Sequence, residues 1–556
     1  MRRGFRGTGR TLFPSRRLAG RLQLVSPPAH SPGAYLILRS GLSQRTLRAD
    51  DLGHPSARTA RPALLNRPAY RGNHDAALLF CQRLAQTIAL PFSNSGGESA
   101  RRSFAHRAAR RTLVKIGFIA MSGLRLCNAE LLELGLTFPG VARRKQAIEA
   151  LPSLGLLTLA GLTPSRIEVE YLEVRDVNRD ELPRDFDAVA ISSLTATAKE
   201  AYALAARFRE IGTKTILGGL HVSLLPDEAR AKADSIVIGE GESVWPELIA
   251  DLERNQLKPV YDARLRHFDL SNSPMPRFEL LERDRYPRFT VQTQRGCPWR
   301  CEFCAASIRI SPTFKVKPVE KVIAEIRRLK EFWRDPFVEF ADDNTFVNRA
   351  HSRRLLRALA HEQIRWFTES DLSIAQDDEL LRLMRDAGCA QVLIGLESPS
   401  RLALNGIEQK RNWKARQADS YYRAVEAIQS HGITVNGCFV MGLDGAGADS
   451  FDAVYDFVKQ SGLFDVQITF MTPFPGTPLY DRLRNQGRIL HEGSWERCTL
   501  FDVNFQPQQM SVTALENGFR QLGRKLYADD FVRERGKRFV DQLRRARRAQ
   551  YRLAAA

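Results

Sequence analysis

The sequence predicts an α/β protein built from two successive strand–helix units: a doubly wound, Rossmann-like sheet, then a partial (β/α)6 barrel, closed by a small α-rich carboxyl-terminal extension. Three observations carry this. Short apolar runs alternate with helical patterns over residues 113–255 and again over 286–480. The stretch between them, 256–285, reads as a linker broken by Pro259, Pro274 and Pro276. At 556 residues the chain is long enough for two or three cores.

Residues 1–112 hold 20 arginines, no lysine and four acidic residues, so most of the net charge of +20 sits there. A segment of Arg, Pro, Ser and Gly without a sustained apolar period builds no core and is expected to be disordered. We expect an extension upstream of a functional protein that starts near Val114. An organellar transit peptide and a basic arm for an acidic partner are the alternatives. With that segment set aside the charge is nearly balanced, which argues against a nucleic-acid partner.

In the first unit, strands are predicted at Leu113–Ala120, Ile167–Val174, Phe186–Leu194, Lys214–Leu217 and Ser235–Ile238, with helices near Arg143–Ala160, Ala198–Ile211 and Glu242–Arg254. Ligands of such sheets sit beyond the carboxyl ends of the strands. Those ends place Ser192 and Ser193, then Gly218, Gly219 and His221, then Gly239 and Glu240, as candidate binding residues. The first strand is followed by Met121-Ser122-Gly123-Leu124-Arg125, not by a G-x-G-x-x-G turn, so a nicotinamide site is not expected.

In the second unit, strands are predicted at Phe289–Thr293, Phe337–Ala341, Ile364–Glu369, Ala390–Leu396, Ile433–Met441 and Val466–Met471, with helices such as Val319–Phe332 and Asp378–Ala387 between them. Barrel sites also form at carboxyl ends. There the sequence offers Asp342-Asp343-Asn344, Glu369 and Asp371, Glu397, Asn436, and Thr472 to Pro478. Each of these also suits a helix cap or turn, and no catalytic acid or base stands out. The basic tail over 533–552 reads as a solvated terminal helix, with peripheral contact to an anionic membrane as its alternative.

The loop after the first strand of that unit is Gly296-Cys297-Pro298-Trp299-Arg300-Cys301-Glu302-Phe303-Cys304. Three thiolates this close suit a soft metal centre, iron–sulfur, zinc or cuprous. A structural zinc site closes with four protein ligands, and no fourth cysteine is near. The other cysteines, Cys81, Cys127, Cys389, Cys438 and Cys498, are scattered singly, which suits a reducing, cytoplasmic compartment. No apolar run reaches the roughly 18 residues of a membrane span.

The C-x3-C-x-Φ-C spacing and the aromatic residue before Cys304 resemble the radical S-adenosylmethionine (SAM) superfamily. That resemblance implies a 4Fe-4S cluster on Cys297, Cys301 and Cys304 whose open iron binds SAM. It also implies Phe303 beside the adenine, and Asp342, Asp343, Glu397 and Asn436 near the rest of SAM. The Gly-Gly-x-His-x-Ser stretch at Gly218 and the Gly-Glu-Gly-Glu stretch at Gly239 resemble the cobalamin-binding domain that precedes the radical core in one class of these enzymes. Because none of the ten histidines follows an aspartate by two residues, no histidine of the Asp-x-His-x-x-Gly type is expected on cobalt. Thr472 to Tyr480, Gly487 to Leu490 and Trp495 to Phe505 resemble the extension of the group that includes the hopanoid C-2 methylase and the anaerobic magnesium-protoporphyrin cyclase. The expected activity is methylation of an unactivated carbon of a lipid or secondary metabolite, fed by a reductase, ferredoxin or flavodoxin. Radical cyclisation or rearrangement with the same cofactors, and a non-catalytic iron–sulfur or corrinoid carrier, are the rival readings.

Overall fold

The computed structural model describes residues 114–122, 126–127, 151–178, 181–306 and 313–555. The extension over 1–112 with its Cys81 lies outside the described residues, as do positions 143–150 of the first expected helix.

β1 (Lys115–Met121) is buried along nearly its whole length, as expected of a strand covered on both faces. It pairs in parallel with β2 (Glu168–Val174) on one side and β3 (Ala188–Ser192) on the other. β4 (Lys214–Gly218), β5 (Ser235–Ile238) and β6 (Val260–Asp262) continue outward, giving the order β2-β1-β3-β4-β5-β6. The order reverses between β1 and β3, so the crevice of this doubly wound sheet opens beside Ser192. One face carries Phe118, Trp245 and Leu248, and the other carries Val189, Leu204 and Phe208, so both are sealed.

Two expectations shift. Residues 256–285 read as linker, yet β6 falls inside them and completes the first sheet. Tyr261 is buried there and its hydroxyl donates to Asp251 at 2.9 Å. Three residues are too few for an alternation to be visible in the sequence. The first helix runs over Leu154–Leu162, and residues 151–153 before it are not helical, because Pro152 cannot sit within a helix.

The second sheet has the order β14-β13-β12-β11-β10-β7, all parallel and following the chain without reversal, as in a barrel wall. β7 is Phe289–Val291; then β8 (Gln294–Arg295) and β9 (Lys315–Val316) form a separate antiparallel ribbon. β10 (Phe337–Phe340), β11 (Arg365–Ser370), β12 (Cys389–Glu397), β13 (Thr434–Met441) and β14 (Asp465–Phe470) complete the wall. Amphipathic helices such as Val319–Phe332, Asp378–Asp386 and Ser450–Ser461 cover its outside. The β12–β13 register slips between Gly395 and Glu397, and Glu397 takes φ 62°, an uncommon conformation for a residue with a side chain. In the extension, the helix Val512–Leu526 packs Phe519 on Phe470 of β14 with ring centres 4.1 Å apart.

Candidate functional site

The cysteine loop leaves the barrel through β8 and returns through β9, whose registers pair Gln294 with Val316 and Arg295 with Lys315. Gly296 starts it at φ 89°, and its N–H donates to Asp343 Oδ2 at 2.9 Å. Asn344 Nδ2 donates to Cys297 Sγ at 3.8 Å. Cys301 is buried and bridges to Glu408, while the Cys304 N–H donates to the Cys301 carbonyl at 3.0 Å. Burial pushes the Cys297 thiol up to about 11 and the Cys301 thiol up to about 12, and the neighbouring thiols act in the same direction. A metal must therefore displace protons to bind, which is ordinary thiolate chemistry.

Among the described residues no three His, Cys, Asp or Glu side chains converge on one metal-ion position. A four-iron cluster makes a different demand, since each thiolate binds its own iron, and three thiols on one loop match that donor set. Trp299 roofs the loop: its Nε1 donates to Asp371 Oδ2 at 2.8 Å and its ring stacks on Trp413 at 4.5 Å. Asn344 Nδ2 donates to the same Asp371 oxygen at 2.8 Å. Phe303 is half-buried against the main core.

The strand-end acids divide by what they touch. Asp342 is buried with both oxygens occupied: Oδ1 accepts from the N–H of Thr293 at 2.8 Å and of Gln294 at 3.1 Å, and Oδ2 accepts from the hydroxyls of Thr293 and Thr345. Its carboxylate braces the start of the cysteine loop, so any contact with SAM competes with four donors. Glu397 accepts from Lys414 Nζ at 2.6 Å, and Lys414 also donates to the Gly395 carbonyl at 2.7 Å. Asn436 is buried on β13, opposite Leu393 of β12 and Asp465 of β14. Glu369 keeps solvent access but is crowded by protein; burial and the charges of Glu339, Asp343, Asp342 and Glu397 push its carboxyl up to about 7. Sequence reading did not single out Lys414 or Trp413. They come to the site at the start of the short helix Trp413–Gln417, and nothing in Asn412-Trp413-Lys414 announces that the lysine is buried.

At the carboxyl edge of the first sheet, the Ser193 N–H donates to the Gly218 carbonyl at 3.3 Å. Gly219 has φ +97°, and a Cβ there would stand 2.8 Å from the Ser193 carbonyl and 3.0 Å from Ser192 Oγ. Ser223 Oγ donates to the Gly219 carbonyl and accepts from Gly239 N–H, each at 2.9 Å, which ties the β4 and β5 ends together. Ser193 Oγ and Thr195 Oγ1 are buried without a hydrogen-bond partner, and Leu194 between them is 63 % exposed. An edge with bare backbone, two idle hydroxyls and an uncovered leucine fits a large amphipathic ligand such as cobalamin.

Two residues expected on that edge turn elsewhere. His221 is fully buried, its Nε2 3.4 Å from Glu228 Oε1, and burial lowers its pKa so that it stays neutral. Its ring lies 5.7 Å from that of Trp495 of the extension, whose Nε1 donates to Glu228 Oε2 at 2.9 Å. Glu240 directs its carboxylate to Arg295 at 3.0 Å and to Lys315.

Comparison with known proteins matches residues 291–458 to the radical SAM superfamily, 148–249 to the B12 binding domain and 477–555 to a domain of unknown function (DUF4070). The chain is 29 % identical over 391 residues to the bacteriochlorophyllide d C-12(1)-methyltransferase of Chlorobaculum tepidum, covering 69 % of this chain and 84 % of that protein. It is 29 % identical over 358 residues to the hopanoid C-2 methylase of Rhodopseudomonas palustris, covering 62 % and 67 %. Its fold matches that of the radical SAM methyltransferase TsrM from Kitasatospora setae, solved with cobalamin and a [4Fe-4S] cluster, with a TM-score of 0.53 at 15 % identity over 79 % of this chain and all of that one. A thiol loop beyond a barrel wall, a corrinoid-type sheet edge before it, and matches to both domain families in that order lead to one assignment: the chain joins a B12 binding domain to a radical SAM domain, as its methyltransferase relatives do.

Proposed function

We propose that this enzyme methylates an unactivated carbon of a lipid or secondary metabolite, in a reaction dependent on a 4Fe-4S cluster, SAM and cobalamin. The observation that carries the reading is the joining of a three-thiol loop and a corrinoid-type sheet edge within one packed unit, through Glu240 and Arg295. Together the cluster and SAM supply the means to remove hydrogen from an unactivated carbon, and cobalamin carries the methyl group.

The protein's own residues position and shield. In this reading Cys297, Cys301 and Cys304 hold the cluster, Asn344 donates to the Cys297 sulfur, and Trp299, stacked on Trp413, keeps water from the cluster. The Phe303 backbone lies beside the adenine, and Asp343, Glu397 and Asn436 face the remainder of SAM. Asp342 acts through the loop it braces. Ser192, Ser193, Gly218, Gly219 and Gly239 line the cobalamin edge, with Leu194 against the corrin. The cobalamin-binding unit covers 113–255, the radical core 286–480 and the extension 481–556. A low-potential electron donor serves the cluster in a cytoplasmic setting. Arg544, Arg545, Arg547 and Arg548, exposed on the helix Asp529–Ala555, offer an anionic membrane a surface; no helix of the described residues is long and apolar enough to cross one.

The test is a product ratio under anaerobic, reducing conditions with substrate present. Methyl transfer consumes two SAM molecules per turnover and yields S-adenosylhomocysteine and 5′-deoxyadenosine in equal amounts. Deoxyadenosine without matching S-adenosylhomocysteine would identify a cyclase or rearrangement enzyme. Neither product above background would identify a carrier.

A further inference from the structure

The neck of the cysteine loop sets two cations face to face. β8 and β9 are two residues each, they flank the segment that bears the cysteines, and their register places Arg295 directly opposite Lys315. Like charges in that position repel, and two-residue strands contribute few ladder bonds of their own; the uncharged partners of the two cations are Gln292 Oε1, which accepts from Arg295, and the Phe268 carbonyl, which accepts from Lys315. The remedy comes from the other sheet. Glu240, just past β5, binds both cations: Oε1 accepts from Arg295 Nη1 at 3.0 Å, and Oε2 accepts from Lys315 Nζ. Glu242 accepts from Arg295 Nη2 at 2.8 Å. All four side chains are largely buried, at 16 % or less exposure. By contrast the pair Lys199–Glu496, which joins the helix Ala198–Glu210 to the extension, is 54 % and 40 % exposed and holds little.

Glu240 also follows Gly239, whose N–H is tied to Ser223 Oγ and so to the Gly219 turn on the cobalamin edge. The neck of the cysteine loop and the corrinoid edge thus share one short segment. We infer that Glu240 and Glu242 are positioning residues that clamp the neck of the cluster loop shut, so that occupancy of the corrinoid edge and retention of the cluster are coupled. The inference rests on the cofactor reading above and adds to it the route by which one site senses the other.

Coupling of this kind is reciprocal and spans about 5–150-fold in an equilibrium constant. The experiment compares full-length, anaerobically reconstituted wild type, Glu240→Gln, Lys315→Met and Glu240→Gln/Lys315→Met. Iron loss to excess EDTA is followed through the cluster absorbance, with and without hydroxocobalamin. Glu240→Gln should lose iron about tenfold faster than wild type. Adding Lys315→Met should restore most of the retention, because it removes the cation that Glu240 neutralised. Hydroxocobalamin should slow iron loss in wild type and not in Glu240→Gln. A merely structural role predicts neither the rescue nor the lost protection. Wild-type iron loss in Glu240→Gln, no rescue in the double variant, or equal protection of both proteins by hydroxocobalamin would overturn the clamp. Should Glu240→Gln fail to fold, the double variant carries the test alone: it must fold and hold iron as wild type does. Failure of the wild type to take up iron at all, or an unequal product ratio with the clamp intact, would count against the proposed function instead.

Discussion

Lys414→Met removes the cation from a largely buried ion pair at the carboxyl end of β12. Lys414 Nζ stands 2.6 Å from Glu397 Oε1 and 2.7 Å from the Gly395 carbonyl, and the two side chains are 11 % and 8 % exposed. Burial alone works against the ammonium, but the attraction of Glu397 prevails and holds it above the ordinary lysine range. Taking away one partner of such a pair strands a buried carboxylate, at a cost of about 3–5 kcal/mol. At 2–4 °C per kcal/mol for a domain of this size, melting should fall by on the order of 10 °C. Glu397→Gln/Lys414→Met should recover part of that, since a neutral pair leaves no uncompensated charge. The assay is thermal unfolding of the cluster-free protein by circular dichroism. A single variant that melts with wild type, or a double variant that melts below the single, would refute the account.

Replacing Cys297, Cys301 or Cys304 singly with Ala should abolish the reducible cluster while Cys389→Ala and Cys438→Ala keep it, as read by iron and sulfide content. Gly219→Ala, which forces a Cβ against the Ser193 carbonyl at φ +97°, should cost about 1–3 kcal/mol and lower cobalamin retention on a desalting column. Glu369 binds its proton more tightly folded than unfolded, so its own contribution to stability should fall as pH rises from about 4.5 through about 7. Glu369→Gln should melt with wild type at the acid end of that window and above it at the basic end, and equal melting temperatures throughout would exclude the shift. Electron paramagnetic resonance of the cob(II)alamin form should show no imidazole splitting from the protein, because His221 is buried away from the edge; splitting that vanishes in His221→Ala would reverse that view.

The strands were legible because both sheets are parallel and covered, so most write themselves as apolar runs, the edge strand β2 with its three glutamates excepted. Ser235–Ile238 and Val319–Phe332 fall where the sequence puts them, and most other ends move by a residue or two, as helix and strand termini do. β6 was not legible: three residues carry no period, and only the sheet edge left open by β5 explains it. Sequence proximity found the cysteine loop, since three ligands within eight residues need no fold to bring them together. It did not find Lys414, which meets Glu397 only after the β12 bulge turns that carboxylate inward. Nor did it foresee the use of Glu240: a carboxylate at a strand end reads as ligand-facing, and its true partners lie 55 and 75 residues away.

The extension gains its meaning from those same long-range contacts. Arg482, on the helix Pro478–Asn485, binds both oxygens of Glu302, at 3.0 and 2.7 Å, and Leu479 N–H donates to the Glu302 carbonyl at 3.0 Å. Glu302 lies directly after Cys301, so this helix grips the cysteine loop at a second point, apart from its neck. A few residues on, Trp495 donates to Glu228 and packs against His221 behind the corrinoid edge. One segment of about two turns and a loop therefore reaches both cofactor regions, while the Glu240 pairs join the same regions from the other end. Two links at separate points fix an orientation as well as a distance, which a single ionic contact does not. That is the requirement of a reaction in which a carbon activated at one cofactor must meet a methyl group held by the other, and it gives residues outside either site a direct part in setting the geometry.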